Sequence, residues 1–209
     1  MVRSKGRVYR YAYFAHHLSS KRLKWCYVGK TAFTRSCGAG GKVVDRSLSA
    51  LLNSYVVHLR RRFQADLVAV ALFGSSARGE AVFPRSDIDV FVVLRGLEGR
   101  SLAERIRLVS EVEGDLSESE EYRRFVSLYG EPLFQPHVLT PSEVCRHPPI
   151  LLDVVTDGVL LYDDGFLVEE LRRLEERLRE LGAEKRRLAD GSWYWRLKRD
   201  LEWGEVVEL

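Results

Sequence analysis

The chain has 209 residues, of which 45% are hydrophobic and 30% charged, and its formal net charge is +3. This length and composition predict a soluble globular protein with one good core and an extension. No apolar run reaches the roughly 20 residues of a membrane span, and the N-terminus lacks an apolar segment with a small-residue cleavage site, so we predict a cytoplasmic protein without a membrane partner.

Two further features of the composition concern compartment and source. Cys26, Cys37 and Cys145 are odd in number and lack the spacing of metal ligands, which favours free thiols over a disulfide framework or a zinc site. Arginine outnumbers lysine by 26 to 7, and Asn, Gln and Met are scarce, as in many proteins of thermophiles. Genomic GC bias also favours arginine, so the composition does not separate the two causes.

The first 46 residues form a basic segment. They contain eleven Lys or Arg residues against one acid, Asp45, whereas the remainder contains 22 basic against 29 acidic residues. Aromatic residues lie between the charges, and such a segment can follow a phosphate backbone and stack on bases, which suggests contact with RNA or DNA. The alternatives are a loosely ordered, upstream-extended N-terminus and a tail that pairs with the acidic remainder. Residues 36–41 are interpreted as a flexible joint.

A helix, a strand and a turn follow this segment. Apolar residues recur at helical spacing over residues 45–62, which predicts a helix that packs on a sheet. Residues 67–73 have the length and branching of a buried strand, which stops at Gly74. Gly74 lets backbone N–H groups approach a ligand, and with Ser75 it is predicted to open a helix whose positive end suits a polyphosphate. Arg78 adds a planar cation.

Two carboxylates lie on the next predicted strand, residues 86–94. The period of two of a strand directs Asp87 and Asp89 to one face, while the apolar residues between them face the core. Residues two apart on a strand are separated by roughly 6 to 7 Å, so both carboxylates can hold Mg²⁺ ions. The alternative, an ordinary turn glycine followed by solvent-facing acids, requires the turn, the arginine and the paired acids to coincide by accident.

These motifs resemble the DNA polymerase β nucleotidyltransferase superfamily, in which a strand ends in Gly-Ser, a short helix follows, and the next strand carries Asp-x-Asp. The segments GSSARGE (residues 74–80) and SDIDV (residues 86–90) are most similar to the minimal nucleotidyltransferases (MNT) of archaea and bacteria, some of which are antitoxin partners of HEPN-domain proteins. The resemblance covers about residues 50–165. It implies an α/β (α+β) fold, with a small mixed sheet flanked by helices.

The resemblance also implies the chemistry of the site. Asp87 and Asp89 would be the catalytic residues and would hold two Mg²⁺ ions. Gly74 and Ser75 would bind the β and γ phosphates of a nucleoside triphosphate, with ATP as the default donor. Arg78 would support the leaving pyrophosphate or fix the motif helix.

Two serines in this predicted site have open alternatives. Ser86 is included with Ser75 among the predicted nucleotide-binding residues. Ser75 could instead be only a helix cap, and Ser86 only a loop residue. The predicted acceptor is a hydroxyl of a protein or another molecule, and a HEPN-domain protein is the candidate partner.

The chain departs from the superfamily pattern where a third carboxylate is expected. The corresponding strand, residues 132–140, contains no Asp or Glu, and its alternating polar residues are Gln135 and His137. Neither is a good Mg²⁺ ligand, although His137 could act as a general base instead of having a structural role. Glu131 and Glu143 flank this strand, and the spacing favours neither.

Further helices are predicted around this strand. Residues 102–129 are strongly charged and helical, with a break near Gly114. A short helix begins at Pro141, with Thr140 or Ser142 as its cap.

The C-terminal part is predicted to be helical and aromatic. Residues 150–162 are helix-like with an apolar end, and Asp153 and Asp157 are interpreted as acids on a solvent-facing helix. Residues 166–188 form an amphipathic helix that packs on the domain. Three of the four tryptophans lie in residues 193–203, where packing is the expected role.

The sequence thus predicts three segments and one main function. They are a basic extension (residues 1–46), a nucleotidyltransferase domain (residues 47–165) and a C-terminal helical and aromatic extension (residues 166–209). The expected activity is Mg²⁺-dependent transfer of an NMP, by default AMP from ATP. The alternatives are a noncatalytic nucleotide- or partner-binding module and an RNA-binding protein that uses its basic segment. A homodimer is possible on the aromatic tail.

Overall fold

The computed structural model describes residues 46–189, 193–200, 203 and 205–209 in full, and of the first 45 residues only the backbone of four strands. These strands are β1 (Val2–Ser4), β2 (Arg7–Tyr9), β3 (Tyr11–Ser19) and β4 (Arg22–Lys30). β1 pairs with β2 and β3 pairs with β4, both in antiparallel orientation. The predicted joint, residues 36–41, lies outside the described residues.

From Arg46 onward, the described residues alternate between helices and strands. The helices are α1 (Arg46–Phe63), α2 (Gly74–Ala77), α3 (Leu102–Ser117), α4 (Glu120–Tyr129), α5 (Pro141–Val144), α6 (Ile150–Asp157) and α7 (Phe166–Leu181). The strands are β5 (Leu67–Leu72), β6 (Ile88–Leu94), β7 (Phe134–Leu139), β8 (Val159–Asp163), β9 (Glu184–Arg187) and β10 (Trp193–Arg196).

Four of these strands form one mixed sheet in the order β7-β6-β5-β8. β5 pairs antiparallel with both β6 and β8, whereas β6 and β7 are parallel. Parallel neighbours need a long crossover, which α3 and α4 supply between β6 and β7. The predicted fold class, a small mixed sheet flanked by helices, is confirmed.

Helices cover both faces of the sheet. Val70 and Val90 lie in a buried cluster with residues of α1, α3 and α4, and Ala71 and Phe91 lie in a second buried cluster with residues of α6 and α7. Burial on both faces explains why β5 is a continuous apolar run rather than an alternating one. Because β5 and β6 are antiparallel, β5 ends and β6 begins at the same edge of the sheet.

The break in the charged helical stretch differs from the prediction. α3 runs through Gly114, and the chain breaks after Ser117. A glycine in a helix interior costs only about 1 kcal/mol relative to alanine, so it does not by itself end a helix. The restart is set by Ser119, whose side chain accepts a hydrogen bond of 3.2 Å from the N–H of Tyr122 and caps α4.

The C-terminal segment contains a helix and a hairpin. The predicted amphipathic helix α7 ends at Leu181 rather than at residue 188, because Gly182 adopts the left-handed φ of +66° that terminates helices. β9 and β10 then pair antiparallel and form the C-terminal hairpin. Trp195 packs against the second buried cluster, as predicted for the tail, whereas Trp203 is exposed.

Other sequence predictions concern the membrane, the thiols and the segment boundaries. Among the described residues, no helix combines the length and the apolar character that a membrane span requires. Cys145 is a free, exposed thiol as predicted, and the side chains of Cys26 and Cys37 lie outside the described residues. The division into three segments stays a prediction.

Candidate functional site

The turn after β5, residues 73–78, is built around one glycine and is called the Gly74 turn. Gly74 has a φ of +69°, in the left-handed region that favours glycine. A Cβ at this position would lie 2.2 Å from Oδ2 of Asp89, so the missing side chain lets that carboxylate pack against the turn. The helix that the turn opens, α2, has only four residues, which leaves little macrodipole for an anion.

Hydrogen bonds hold the paired acids beside this turn. The N–H of Phe73 donates to the carbonyl oxygen of Asp89 at 3.0 Å. The buried Ser76 hydroxyl donates to the carbonyl oxygen of Asp87, also at 3.0 Å. Asp87 and Asp89 are half-buried and alternate with the fully buried Ile88. The structure therefore places Asp89 on β6 and Asp87 immediately before that strand, both next to the Gly74 turn.

The surroundings of Asp89 disfavour the charged form of its carboxyl group. Burial raises the pKa of the Asp89 carboxyl above its ordinary value; His137 and Arg78 oppose this shift, and the carboxylate of Asp87 adds to it. Two carboxylates in such an environment repel each other and are stabilised by a nearby cation. Their oxygen ligands are of the hard type that Mg²⁺ prefers, so the residues present fit this ion.

The neighbouring strand β7 carries the two polar residues that the sequence singled out. Gln135 lies opposite Asp89 in the parallel register, and His137 lies opposite Phe91. The His137 ring meets the ring of Phe73 edge-on, at 5.3 Å between centroids and 68° between planes. Gln135 thus stands beside Asp89, on the strand where the superfamily pattern predicts a third acid.

The flanking glutamates do not complete the acidic set. Oε2 of Glu143 accepts hydrogen bonds from Nη1 of Arg105 at 2.5 Å and from the N–H of Thr140 at 2.8 Å, so this carboxylate is occupied at the start of α5. Glu131 is exposed. Within the described part of the chain, no group of three His, Cys, Asp or Glu residues is placed to hold a metal ion. The candidate site therefore has two carboxylates, not three.

Arg78, at the end of the Gly74 turn, is held by two acids. Its Nε donates to Oε2 of Glu80 at 2.8 Å, and its Nη1 donates to Oδ2 of Asp157 at 3.3 Å. Asp157 also accepts a hydrogen bond from Nζ of Lys185 at 2.9 Å. The interpretation of Asp157 as an acid on a solvent-facing helix is therefore wrong, because its side chain is only 17% exposed and pairs with two cations.

The connection from Arg78 to Lys185 was missed by the sequence analysis. Asp157 lies 79 residues after Arg78, and Lys185 lies 28 residues after Asp157. No local motif predicts such a contact. The i,i+4 spacing of Asp153 and Asp157 was the only available signal, and it indicates a shared helix face without naming a partner.

The two serines of the predicted nucleotide site, Ser75 and Ser86, make different hydrogen bonds. The Ser86 hydroxyl accepts a hydrogen bond of 2.8 Å from the N–H of Val82, which closes the loop before β6. This contact gives Ser86 a structural role, and its nucleotide-binding role stays a prediction. Ser75 is half-buried in the Gly74 turn, and its carbonyl oxygen accepts a hydrogen bond of 2.9 Å from the N–H of Glu80.

A known protein domain matches the part of the chain that contains the glycine turn and the two acids. Residues 56–139 match the family model of the nucleotidyltransferase domain. The matched segment contains the Gly74 turn, both acids and β7. Residues 56–139 therefore carry the match to a nucleotidyltransferase domain, which agrees with the class of enzyme that the sequence predicts.

Similar proteins come from archaea and bacteria. MJ1305 of Methanocaldococcus jannaschii, a proposed protein adenylyltransferase, is 24% identical over 140 residues, which are 66% of this chain and 87% of that protein. A proposed nucleotidyltransferase of Sulfolobus solfataricus is 24% identical, with coverage of 61% of this chain and 94% of its own and a TM-score of 0.38. A structure of the tri-AMPylated Shewanella oneidensis HEPN toxin with its MNT antitoxin gives 18% identity, coverage of 63% and 91%, and a TM-score of 0.34.

Proposed function

We propose that this protein is a Mg²⁺-dependent adenylyltransferase that transfers AMP from ATP to a hydroxyl of a protein. The observation that carries the proposal is the packing of the Asp89 carboxylate against Gly74, which has no side chain, with Asp87 two residues earlier, immediately before β6. This arrangement brings a glycine turn, which a phosphate can approach closely, and two carboxylates of the type that binds Mg²⁺ within one small site.

The carboxylates have the charge that the reaction needs. Asp87 and Asp89 would hold the Mg²⁺ ions, which neutralise charge on the transferred phosphoryl group and orient the attacking oxygen. The hydrogen bonds from Ser76 and Phe73 fix the backbone of both acids, so their side chains start from a defined position. Fixed positions matter because catalysis of phosphoryl transfer consists mainly of orientation and electrostatic stabilisation.

The Gly74 turn and Arg78 would bind the phosphates that leave as pyrophosphate. Gly74 has no side chain on the side where Asp89 lies, and Arg78 supplies positive charge at the end of the turn. His137, whose ring meets that of Phe73 just before Gly74, is the residue we assign to accept the proton of the attacking hydroxyl.

The acceptor and partner follow from the sequence resemblance. The segment of residues 74–90 resembles the MNT antitoxins, and the relative MJ1305 is itself a proposed protein adenylyltransferase. We therefore propose a HEPN-domain protein as the acceptor. The cytoplasm is the compartment where both ATP and such a partner are available.

One observation favours a second candidate function. Gln135 stands in the register position beside Asp89, and the described residues contribute only two acids to the site. A site of this kind can bind a nucleotide and a metal ion without catalysing nucleotidyl transfer. The second candidate is therefore a noncatalytic nucleotide-binding module.

The test measures nucleotide binding and transfer separately. The purified chain is incubated with Mg²⁺, each α-labelled NTP and a candidate HEPN protein, beside the variant Asp87→Asn/Asp89→Asn and the matched control Asp66→Asn/Asp115→Asn, which removes two exposed acids elsewhere. We expect label transfer from ATP in the wild type and the control but not in the site variant. Binding without transfer supports the noncatalytic module, and binding that survives in the site variant contradicts the assignment of the site.

A further inference from the structure

Two cations from distant parts of the chain converge on one carboxylate oxygen. Oδ2 of Asp157 accepts a hydrogen bond from Nη1 of Arg78 at 3.3 Å and another from Nζ of Lys185 at 2.9 Å. Arg78 belongs to the Gly74 turn, whereas Lys185 belongs to β9 of the C-terminal hairpin. Asp157, at the last position of α6, is thus a physical link between the candidate nucleotide site and the C-terminal hairpin.

Lys185 is held more firmly than a surface lysine. Its side chain is only 14% exposed, Nζ lies 3.4 Å from Oδ1 of Asp153, and the same nitrogen lies 5.3 Å from the centroid of the Trp193 ring. An ammonium group in such a position needs compensating partners, because removing a charge from water is costly. Asp153, Asp157 and Trp193 supply them, and together they fix Nζ beside Asp157.

Arg78 retains unused hydrogen-bonding capacity. Its Nε is bound to Glu80 and its Nη1 to Asp157, while Nη2 has no hydrogen-bond partner among the described residues. The guanidinium is planar, so two fixed nitrogens also fix the direction of the third. The shorter contact of Lys185 means that Asp157 is shared between two cations, so its negative charge offsets the positive charge of Arg78 less than an unshared carboxylate would.

We propose that Lys185 is a positioning residue of the nucleotide site. Through Asp157 it fixes the direction of Arg78 and offsets the negative charge beside it, and the free Nη2 of Arg78 binds the β or γ phosphate of the triphosphate. The inference rests on the proposed function, and it extends the site to the C-terminal hairpin, outside residues 56–139 that match the nucleotidyltransferase domain. Lys185 itself does not touch the nucleotide.

The first experiment compares binding of ATP and AMP in the presence of Mg²⁺ by isothermal titration calorimetry. We expect Lys185→Met to weaken ATP binding about ten-fold, the scale of one charge-assisted contact, and to leave AMP binding unchanged. Lys185→Arg should restore ATP binding. The matched control is Arg186→Met on the same strand, since Arg186 pairs with Glu184 and not with Asp157. Melting temperatures show whether each variant folds, and Lys185→Gln replaces the methionine variant if that one does not.

A double-mutant cycle then separates positioning from direct contact. If Lys185 acts through Arg78, the double variant Arg78→Met/Lys185→Met binds ATP no more weakly than Arg78→Met alone. Equal losses from Lys185→Met in both backgrounds would overturn the inference, and so would wild-type affinity in Lys185→Met. A wild-type chain that binds no ATP would instead overturn the proposed function itself, and the inference with it.

Discussion

Gly74 cannot be replaced without consequence for two independent reasons. Its φ of +69° is unfavourable for any residue with a Cβ, and a Cβ would also lie 2.2 Å from Oδ2 of Asp89. The first reason concerns the backbone alone, and the second concerns the site. The chain offers a glycine that shares only the first: Gly96 has a φ of +72°, and a Cβ there would meet no atom within 4 Å.

Comparing Gly74→Ala with Gly96→Ala isolates the effect on Asp89. We expect each variant to lose roughly 1 to 2 kcal/mol of unfolding free energy from backbone strain, and only Gly74→Ala to lose ATP binding, because its methyl group displaces the Asp89 carboxylate. Urea unfolding and calorimetric titration with ATP measure the two effects. ATP binding at the wild-type level in Gly74→Ala would show that the packing of Asp89 on the turn is not needed.

A substitution of Gln135 is expected to strengthen the metal site rather than to damage it. In Gln135→Glu a third carboxylate would stand in register with Asp89, which should increase repulsion without metal and strengthen the affinity for Mg²⁺. Without Mg²⁺, we expect Gln135→Glu to have a lower melting temperature than the wild type. When Mg²⁺ is added, the melting temperature of the variant should rise by more than that of the wild type. Leu133→Glu, an exposed position just before β7, controls for added charge. Equal Mg²⁺ responses in both variants would place Gln135 outside the metal site.

At the scale of elements, one ion pair ties α3 to α5. Arg105 has a side chain that is only 9% exposed, and its Nη1 donates to Oε2 of Glu143 at 2.5 Å. Glu143 also completes a capping box with Thr140, since each side chain bonds the backbone N–H of the other. The pair thereby anchors the chain where it leaves β7, the strand of Gln135 and His137.

This pair predicts a pH-dependent contribution to stability. The hydrogen bond from Arg105 lowers the pKa of Glu143 in the folded chain. The stabilisation is therefore fully present above the ordinary glutamate pKa and is lost as the pH falls through the lowered folded value. We expect Glu143→Gln to cost about 1 kcal/mol at pH 7, a value reduced for partial exposure, and to match the wild type in strong acid.

Chemical unfolding of the wild type and of Glu143→Gln between pH 7 and pH 2 measures the difference in their free energies of unfolding. The exposed pair Arg62–Glu111, 3.1 Å apart, supplies the control. Glu111→Gln should change the unfolding free energy by less than about 0.5 kcal/mol. A gap between the wild type and Glu143→Gln that does not change with pH would contradict the assigned role of the ion pair.

For the whole molecule, the sequence predicted features that depend on local pattern. The turn glycine and the order of strands and helices follow from spacing and periodicity, whereas β6 begins at Ile88, two residues later than predicted, so that Asp87 precedes it. The end of α7 and the Ser119 cap were missed because competing signals lie within a few residues of each other. Asp157 and Lys185 were missed for another reason: their meeting with Arg78 depends on how α6 and the C-terminal hairpin dock, which no local pattern encodes.

The uneven charge of the whole chain has a testable consequence. Residues 1–46 contain eleven basic residues and one acid, whereas the remainder has 22 basic and 29 acidic residues. If the basic segment binds nucleic acid, the affinity must fall steeply with salt, because each neutralised phosphate releases counterions. If it pairs with the acidic remainder, its removal must lower stability instead.

A chain lacking residues 1–45 distinguishes these cases. We expect the full chain to bind single-stranded RNA with an affinity that falls at least ten-fold between 50 and 200 mM salt, on the order expected for several phosphate contacts, and the shortened chain to lose this binding. Affinity for ATP should not change, because the nucleotide site proposed here lies entirely in the remainder. Unchanged RNA binding with a lower unfolding free energy would show instead that the basic segment stabilises the protein by pairing with its own acidic surface.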